Sequence, residues 1–523
     1  MRATLSLLSK ASRAPLTSKQ ANKEFYKGTG SLPGLGPKRQ GRHGGRGKAP
    51  YILMEERMRT FVVPEGLNST ELKPYVSKEV KVDVRDGSWP MADTKESFDS
   101  KRGGLYGPNG FDGHYYLQLA GFVKQAVSTV AVAIVGVGLV GKQVVHQLTS
   151  PALSKLFSVI SLTNSKHTLS ISSAAPALDA ATLLSLLPPS SAPLPTSSAH
   201  PAASYSSANP SELVKSLAAN ARQSKQHTIL IDCTSDLSVT ELYPLAVSSG
   251  LSVVTPNKKG FSSSSKLFQD VIEAQSAPGA GLVYLEATVG AGLPIISTLR
   301  DLLKTGDEVT KIEGVFSGTM SYIFNEFSKP SSSGSAGPKF SEIVKIAKEN
   351  GYTEPHPADD LSGSDVARKL TILSRLLSVN PSSLAALPDL PEGYASLSTE
   401  TLIPSALANI SSGEEFVAKL PEHDADFDNL RAEAEKEGKV LRYVGVIDRA
   451  AGVVKCGLEK YPAAHPFASA LSGSDNIVAF HTQRYSQRPL IVQGAGAGAD
   501  VTAMGVVADA IKVAERYGVR VHL

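Results

Sequence analysis

The chain has 523 residues, 41% hydrophobic and 20% charged, an ordinary balance for globular protein with room for roughly two to four domains. No apolar run approaches the ~20 residues that cross a bilayer. The two cysteines, Cys233 and Cys456, offer neither a disulfide framework nor metal-ligand spacing, and both lie in apolar, strand-like runs as buried thiols do. The net charge of +4 conceals a split: residues 1–50 carry eleven Lys/Arg against one acid, Glu24, and residues 1–125 sum to +9, leaving −5 for residues 126–523. The two parts suit different partners.

Met1 to Lys23 is rich in Arg, Lys and Ser and free of acids, as mitochondrial presequences are. The tract that follows, NKEFYKGTGSLPGLGPKRQGRHGGRGKAPYIL, is basic and glycine-rich with Tyr26 and Tyr51 interleaved. It cannot bury a core. It can lay Lys38, Arg39, Arg42, Arg46 and Lys48 along phosphates, or remain a solvated tail.

From Ser128 the pattern becomes strand–helix alternation. Val130–Val135 is a β-branched apolar run that reads as a buried parallel strand. It leads straight into Gly136, Val137, Gly138, Leu139, Val140 and Gly141. In GxGxxG the first glycine permits a tight turn, the second lets the backbone approach a pyrophosphate, and the third permits close helix–strand packing. A helix starting near Leu139 points its amides at the phosphates. The second strand, Leu156 to Leu162, ends in Thr163, Asn164, Ser165 and Lys166, with no acid to bind a ribose 2′-hydroxyl. That end tolerates a 2′-phosphate, so NADP as well as NAD is expected. Residues 171–226 are Ala/Ser/Pro-rich and read as a partly disordered, low-complexity insertion around one helix, Pro210 to Arg222.

Order resumes with a strand at Thr228–Asp232, followed by Thr234 and Ser235. A helix over Thr240–Ser248 and a strand over Leu251–Val254 come next. This last strand delivers Lys258 to the crevice where such sheets bind ligands, unless it is a surface loop lysine. Glu286 ends an apolar run at another glycine-rich turn. Main-chain carbonyls of that turn can join it around a hard cation, or backbone amides alone can satisfy it. Thr319 opens a helix after Ser317-Gly318, as an N-cap or a substrate contact. The stretch GYTEPHPADDLSGSDVARK gathers Tyr352, Glu354, Asp359, Asp360, Asp365 and Lys369, with Pro355 and Pro357 breaking any early helix and a helix expected from Ser364. Asp365 and Lys369 share one face, either as a solvated pair or as a site for a substrate with an amine and a reacting oxygen. The last feature, IVQGAGAGADVTAMG, is a strand, a glycine run and a helix lasting to about Arg516, read as the chain returning to the nucleotide domain.

The strings AIVGVGLVG, TPNKKGFSS, EATVGAGLPIISTLRD, GDEVTKIEGVFSGTMSYIFNEFS, GYTEPHPADDLSGSDVARK, HPFASALSGSDN and VQGAGAGADVTAMG, in this order, resemble monofunctional homoserine dehydrogenase of the fungal type over nearly all of residues 128–516. The resemblance implies an α/β fold with a Rossmann-type NAD(P)-binding domain over 126–285, an α+β substrate and dimerisation domain over 286–490, and a closing segment over 491–523, preceded by the basic, largely irregular region over 1–125 that composition sets apart. It implies interconversion of L-homoserine and L-aspartate 4-semialdehyde with NAD(P)(H) by a homodimer, with no membrane partner. By resemblance, Gly136 to Gly141 hold the pyrophosphate, and Thr234, Ser235, Lys258 and Gly498 line the nicotinamide. Glu354 and Asp365 hold the substrate amine with Thr319, Tyr352 and Asp360 nearby, and Glu286 with the carbonyls of Val289, Ala291 and Leu293 forms a sodium site. Lys369 or Lys258 moves the proton. Asp500 departs from the family, which more often has a small residue there. No aspartokinase-like or appended amino-acid-binding segment is legible, so feedback control through one is not expected. The N-terminal strings FYKGTG and MRTFVVPEGLNSTELKPYVS resemble a mitochondrial large-subunit ribosomal protein over roughly residues 20–120, which implies rRNA contact. The two parts are a true fusion or two neighbouring genes mis-joined. The N-terminal region suggests a mitochondrial address, while the dehydrogenase module alone suggests the cytosol.

Overall fold

The computed structural model describes residues 129–519, apart from 173–177, 196–199, 225, 330–336 and 380–383, together with the short strands Gly41–His43 and Tyr51–Leu53. Those two strands pair antiparallel, with Arg42 opposite Ile52. The presequence-like start and most of the basic tract lie outside the described residues.

The first sheet has seven strands. In spatial order they are Ala203–Ser207, His167–Ile171, Phe157–Thr163, Val130–Val135, Thr228–Asp232, Ser252–Val254 and Val283–Tyr284. The five from Phe157–Thr163 onward are parallel. Val130 to Val135 is buried along its whole length, which explains its unbroken apolar sequence. The two outer strands pair antiparallel and extend the sheet beyond Phe157–Thr163. They correct the expectation of a low-complexity insertion around a single helix. His167–Ile171 and Ala203–Ser207 are ladder strands, and helices at Ala180–Leu186 and Pro210–Ser224 accompany them.

The second sheet has six strands in the order Ser398–Thr399, Val453–Pro462, Lys439–Asp448, Val309–Val315, Asp475–Thr482 and Leu490–Ala495. Helices Ile295–Lys304, Gly318–Phe327 and Ser364–Ser378 feed Leu299, Phe324, Leu370 and Leu373 into one apolar cluster with Ile312, Leu441 and Phe480 from the strands. The same cluster continues through Val289 to Val253 and Leu230 under the first sheet, so the two sheets share a core. Each such fully buried aliphatic or aromatic side chain contributes about 1.5–3 kcal/mol.

The closing segment divides its allegiance. Its strand pairs with Asp475–Thr482 in the second sheet. Its helix, Ala499–Arg516, packs Ala503, Val506 and Ala510 against Val144, Val145 and Leu148 of the helix Leu139–Leu148 beside the first sheet. No helix among the described residues is long and apolar enough to cross a membrane.

Candidate active site

The turn after Val130–Val135 separates its three glycines by cause. Gly136 has φ +89°, and a Cβ there would meet the backbone of Cys233 and Thr234 at 2.8 Å. A Cβ on Gly141 would meet the Gly136 carbonyl at 2.2 Å. Both are required by the protein's own packing. Beside Gly138 a Cβ would meet nothing within 4 Å, so the space there is open to a ligand. Gly138 is also the N-cap of Leu139–Leu148 and offers no side-chain cap, which leaves the first amides available to an anion. These residues fit a bound pyrophosphate.

At the end of the second strand Asn164 is consumed by the fold. Its Oδ1 accepts from the amides of Lys166 (2.9 Å) and His167 (2.8 Å), and its Nδ2 donates to the Pro188 carbonyl (2.7 Å). This builds the turn into His167–Ile171 and leaves Ser165 and Lys166 exposed at its tip.

Asp232, the last residue of the third parallel strand, carries no motif of its own in the sequence. It is fully buried and accepts from the Thr234 amide (2.8 Å), the Tyr243 hydroxyl (2.6 Å) and Asn257 Nδ2 (3.0 Å). Asn257 Nδ2 also reaches the Asp236 carbonyl at 2.9 Å. One carboxylate thereby ties the Thr234–Ser235 loop to the loop carrying Lys258. The only advance signal was Asn257 itself, inside TPNKKG.

Lys258 Nζ lies 3.3 Å from Asp365 Oδ1, and Lys369 Nζ lies 2.8 Å from Asp365 Oδ2. Gly363, at φ +74°, makes the sharp turn that starts the helix Ser364–Ser378, and a Cβ on it would strike the Tyr443 hydroxyl at 1.9 Å. One turn later Lys369 enters the interior, its side chain 8% exposed against 46% for Asp365. Its amine donates to the Phe316 carbonyl at 2.6 Å. Burial pulls the Lys369 pKa below the usual lysine value, with Lys258 assisting and Asp365 opposing. Burial would raise the Asp365 carboxyl, but Lys369 and Lys258 outweigh it and hold that carboxyl far below the usual range.

Thr319 is not the helix cap; the Ser317 side chain accepts from the Met320 amide instead. The Thr319 hydroxyl lies 2.6 Å from the Tyr352 carbonyl and 2.9 Å from Asp360 Oδ1. Asp360 Oδ2 accepts from the Glu354 amide at 2.8 Å. Burial, aided by Glu354 and Asp365, pushes the Asp360 carboxyl up to about 6. The two prolines do not forbid a helix in this stretch, because Pro357 sits at its first position, where no amide is needed, and Pro357–Leu361 is helical. Tyr352 is half exposed, its ring edge-on to Tyr322. Lys258, Asp365 and Lys369 therefore form one linked group and Asp360, Thr319, the Tyr352 carbonyl and the Glu354 amide a second, and the charges of the two groups act on each other.

Glu286 stands apart, at the junction of the sheets. Its Oε1 accepts from the Ile296 amide (2.7 Å) and Oε2 from the Ser297 amide (2.8 Å), both in the first turn of Ile295–Lys304. Lys512 Nζ is 3.6 Å from Oε2. Burial and the neighbouring Asp509 raise its pKa. Ala291 has φ +54°, and the Leu293 carbonyl accepts from the Ile295 amide. No group of three or more His, Cys, Asp or Glu among the described residues could hold a metal ion. Beyond Gly498, Asp500 accepts from Gln147 Nε2 at 3.0 Å, which gives the unusual acid a structural partner.

A glycine turn open at Gly138 on a parallel sheet, with a buried amine near the strand ends, defines a dinucleotide-dependent oxidoreductase of the α/β class. The family models described as homoserine dehydrogenase, NAD binding domain, and homoserine dehydrogenase match residues 136–285 and 294–511. A homoserine dehydrogenase of Schizosaccharomyces pombe is 52% identical over 285 residues, covering 54% of this chain and 72% of the relative. One of Saccharomyces cerevisiae is 42% identical over 391 residues, covering 75% and 99%. A crystal structure of a Candida auris protein of unknown function is 44% identical with a TM-score of 0.63, covering 74% of this chain and 99% of that one. The chain belongs to the homoserine dehydrogenase family, whose members are NAD(P)-dependent dehydrogenases. Residues 9–107 match the family model described as mitochondrial ribosomal protein L27.

Proposed function

We propose that this chain interconverts L-homoserine and L-aspartate 4-semialdehyde, with Lys369 as the proton-transfer residue. The observation that carries this reading is the surroundings of the Lys369 amine. A neutral amine has two N–H bonds and one lone pair. Asp365 and the Phe316 carbonyl take up the two N–H bonds. The lone pair is left for a substrate hydroxyl, and burial favours the neutral form this requires. Lys258 shares Asp365 from the cofactor side and lowers the Lys369 proton affinity further, so it assists rather than replaces Lys369.

Gly136, Val137, Gly138, Leu139, Val140 and Gly141 hold the pyrophosphate, and Thr234, Ser235, Lys258 and Gly498 line the nicotinamide side. The nicotinamide, when bound, takes up the hydride that leaves C4 of homoserine. Lys166, exposed where an acid would exclude a phosphate, suits NADP. The substrate ammonium rests on Glu354 and Asp365, with Thr319, Tyr352 and Asp360 beside them. Each Glu286 oxygen keeps a second lone pair, so Glu286 with the carbonyls of Val289, Ala291 and Leu293 can take a weakly held sodium ion. Lys512 already supplies a positive charge there. We read the chain as a homodimer and residues 1–125 as an rRNA-binding extension; the family match over 9–107 supports the latter. Purified full-length chain given NADP or NAD should oxidise L-homoserine far faster than L-serine or L-threonine. Equal rates with all three, or none with any, would refute the proposed substrate.

A further inference from the structure

The string SGSDN ends at Asn476, a residue with no part in the chemistry described so far. Asn476 is fully buried. Its Nδ2 donates to the Phe316 carbonyl at 3.0 Å, the same oxygen that accepts from Lys369 at 2.6 Å. Its Oδ1 is buried with no hydrogen-bond partner among the described residues. The one hydrogen bond this side chain makes among the described residues is therefore that of its NH2 to Phe316.

The surroundings are shaped to admit it. A Cβ on Gly496 would meet Asn476 Nδ2 at 2.0 Å, and one on Gly318 would meet the Ser474 carbonyl at 3.1 Å. The Phe316 carbonyl and Gly496 of the late glycine run both meet the Asn476 amide, while Gly318 of the SGT turn packs on the neighbouring Ser474. This gives Gly496 a packing reason that is independent of any nucleotide.

We propose that Asn476 is the positioning residue for Lys369: by fixing the Phe316 carbonyl it fixes where Lys369 aims an N–H, and hence where the amine's lone pair points. The inference rests on Lys369 being the proton-transfer residue. The charged groups facing Lys369 are Asp365 on its own helix, Lys258 from the strand-end loop and Asp360 from the preceding short helix. Asn476 is the uncharged member of this shell. Asn476→Asp would add a carboxylate that faces the same carbonyl, favour the ammonium form and deplete the base at neutral pH. Asn476→Ala would free the carbonyl and loosen the aim of the amine.

The test uses full-length chain and follows kcat/KM for L-homoserine against pH, with NADPH binding read separately by fluorescence. Asn476→Asp should move the acid limb up by about one pH unit. Asn476→Ala should lower kcat about tenfold at every pH, with NADPH affinity and KM nearly unchanged. A merely structural amide would alter stability or KM and leave kcat of Asn476→Ala at the wild-type value. If Asn476→Asp binds NADPH with an unshifted limb, or Asn476→Ala keeps wild-type kcat, the inference is overturned. A wild-type chain that binds NADPH without oxidising homoserine would instead overturn the proposed function.

Discussion

Asp365→Asn removes a charge from beside Lys369 while keeping an oxygen that can accept one of its N–H bonds. At the observed 2.8 Å, with an effective dielectric near 20, the Coulomb attraction of this pair is about 6 kcal/mol. The Asp365 side chain is 46% exposed, and solvent screening cuts the useful part to about 1.5–3 kcal/mol, or one to two pH units on the Lys369 titration. The sign is fixed by the geometry. Asp365 favours the ammonium form, so its loss lowers the Lys369 pKa. Lys258, left without its partner, repels the ammonium and acts in the same direction. The acid limb of kcat/KM for homoserine oxidation should therefore move to lower pH, even as poorer orientation lowers the plateau. A steady-state profile from pH 6 to 10 reads both effects. An acid limb that moves up, or stays fixed while the plateau falls, would show that the titrating base is not Lys369.

Other positions give independent checks. Gly138→Ala should weaken NADPH binding about tenfold in a fluorescence titration and leave the melting temperature unchanged, because its Cβ meets only open space, whereas Gly136→Ala should destabilise the fold itself. Lys166→Ala should raise KM for NADP several-fold and leave KM for NAD alone, and equal effects on both would remove Lys166 from the 2′-phosphate site. Glu313 is buried, and although burial alone would raise its carboxyl, bonds from His481 (2.9 Å) and Lys311 (2.7 Å) hold it at about 2. A carboxyl depressed in the folded state stabilises above its unfolded value and loses that contribution as pH falls through the folded one. Glu313→Gln should thus cost about 2–3 kcal/mol in urea unfolding at pH 7, with the difference from wild type shrinking between pH 4.5 and 2.

Much of this molecule was legible because local chemistry and tertiary role agree. Val130 to Val135 is apolar without interruption because both faces of a parallel strand are covered, and its bounds in sequence and structure coincide. The helix from Ser364 and the helix ending at Arg516 were equally plain from periodicity. His167–Ile171 and Ala203–Ser207 were not legible, because HTLSI and ASYSS are short and small-residue-rich, and only pairing with neighbours makes them strands. Thr319 looked like a cap because it begins a helix, yet Ser317 was two residues nearer the true boundary. The acceptor that orients Lys369 is a main-chain carbonyl, which no residue identity reveals. Lys258 and Asp365 meet across more than a hundred residues, and a single sequence carries no sign of that contact.

In the proposed reaction Lys369 moves the proton while other residues bind. Full-length Lys369→Ala, loaded with NADP and mixed with L-homoserine, tests this in a single turnover with NADPH absorbance as the readout. Cofactor affinity should stay within about twofold of wild type and the hydride-transfer rate should fall about 10²–10⁴-fold, the usual range for a lost general base. A variant that binds NADP normally and turns over at the wild-type rate would show that another group takes the proton.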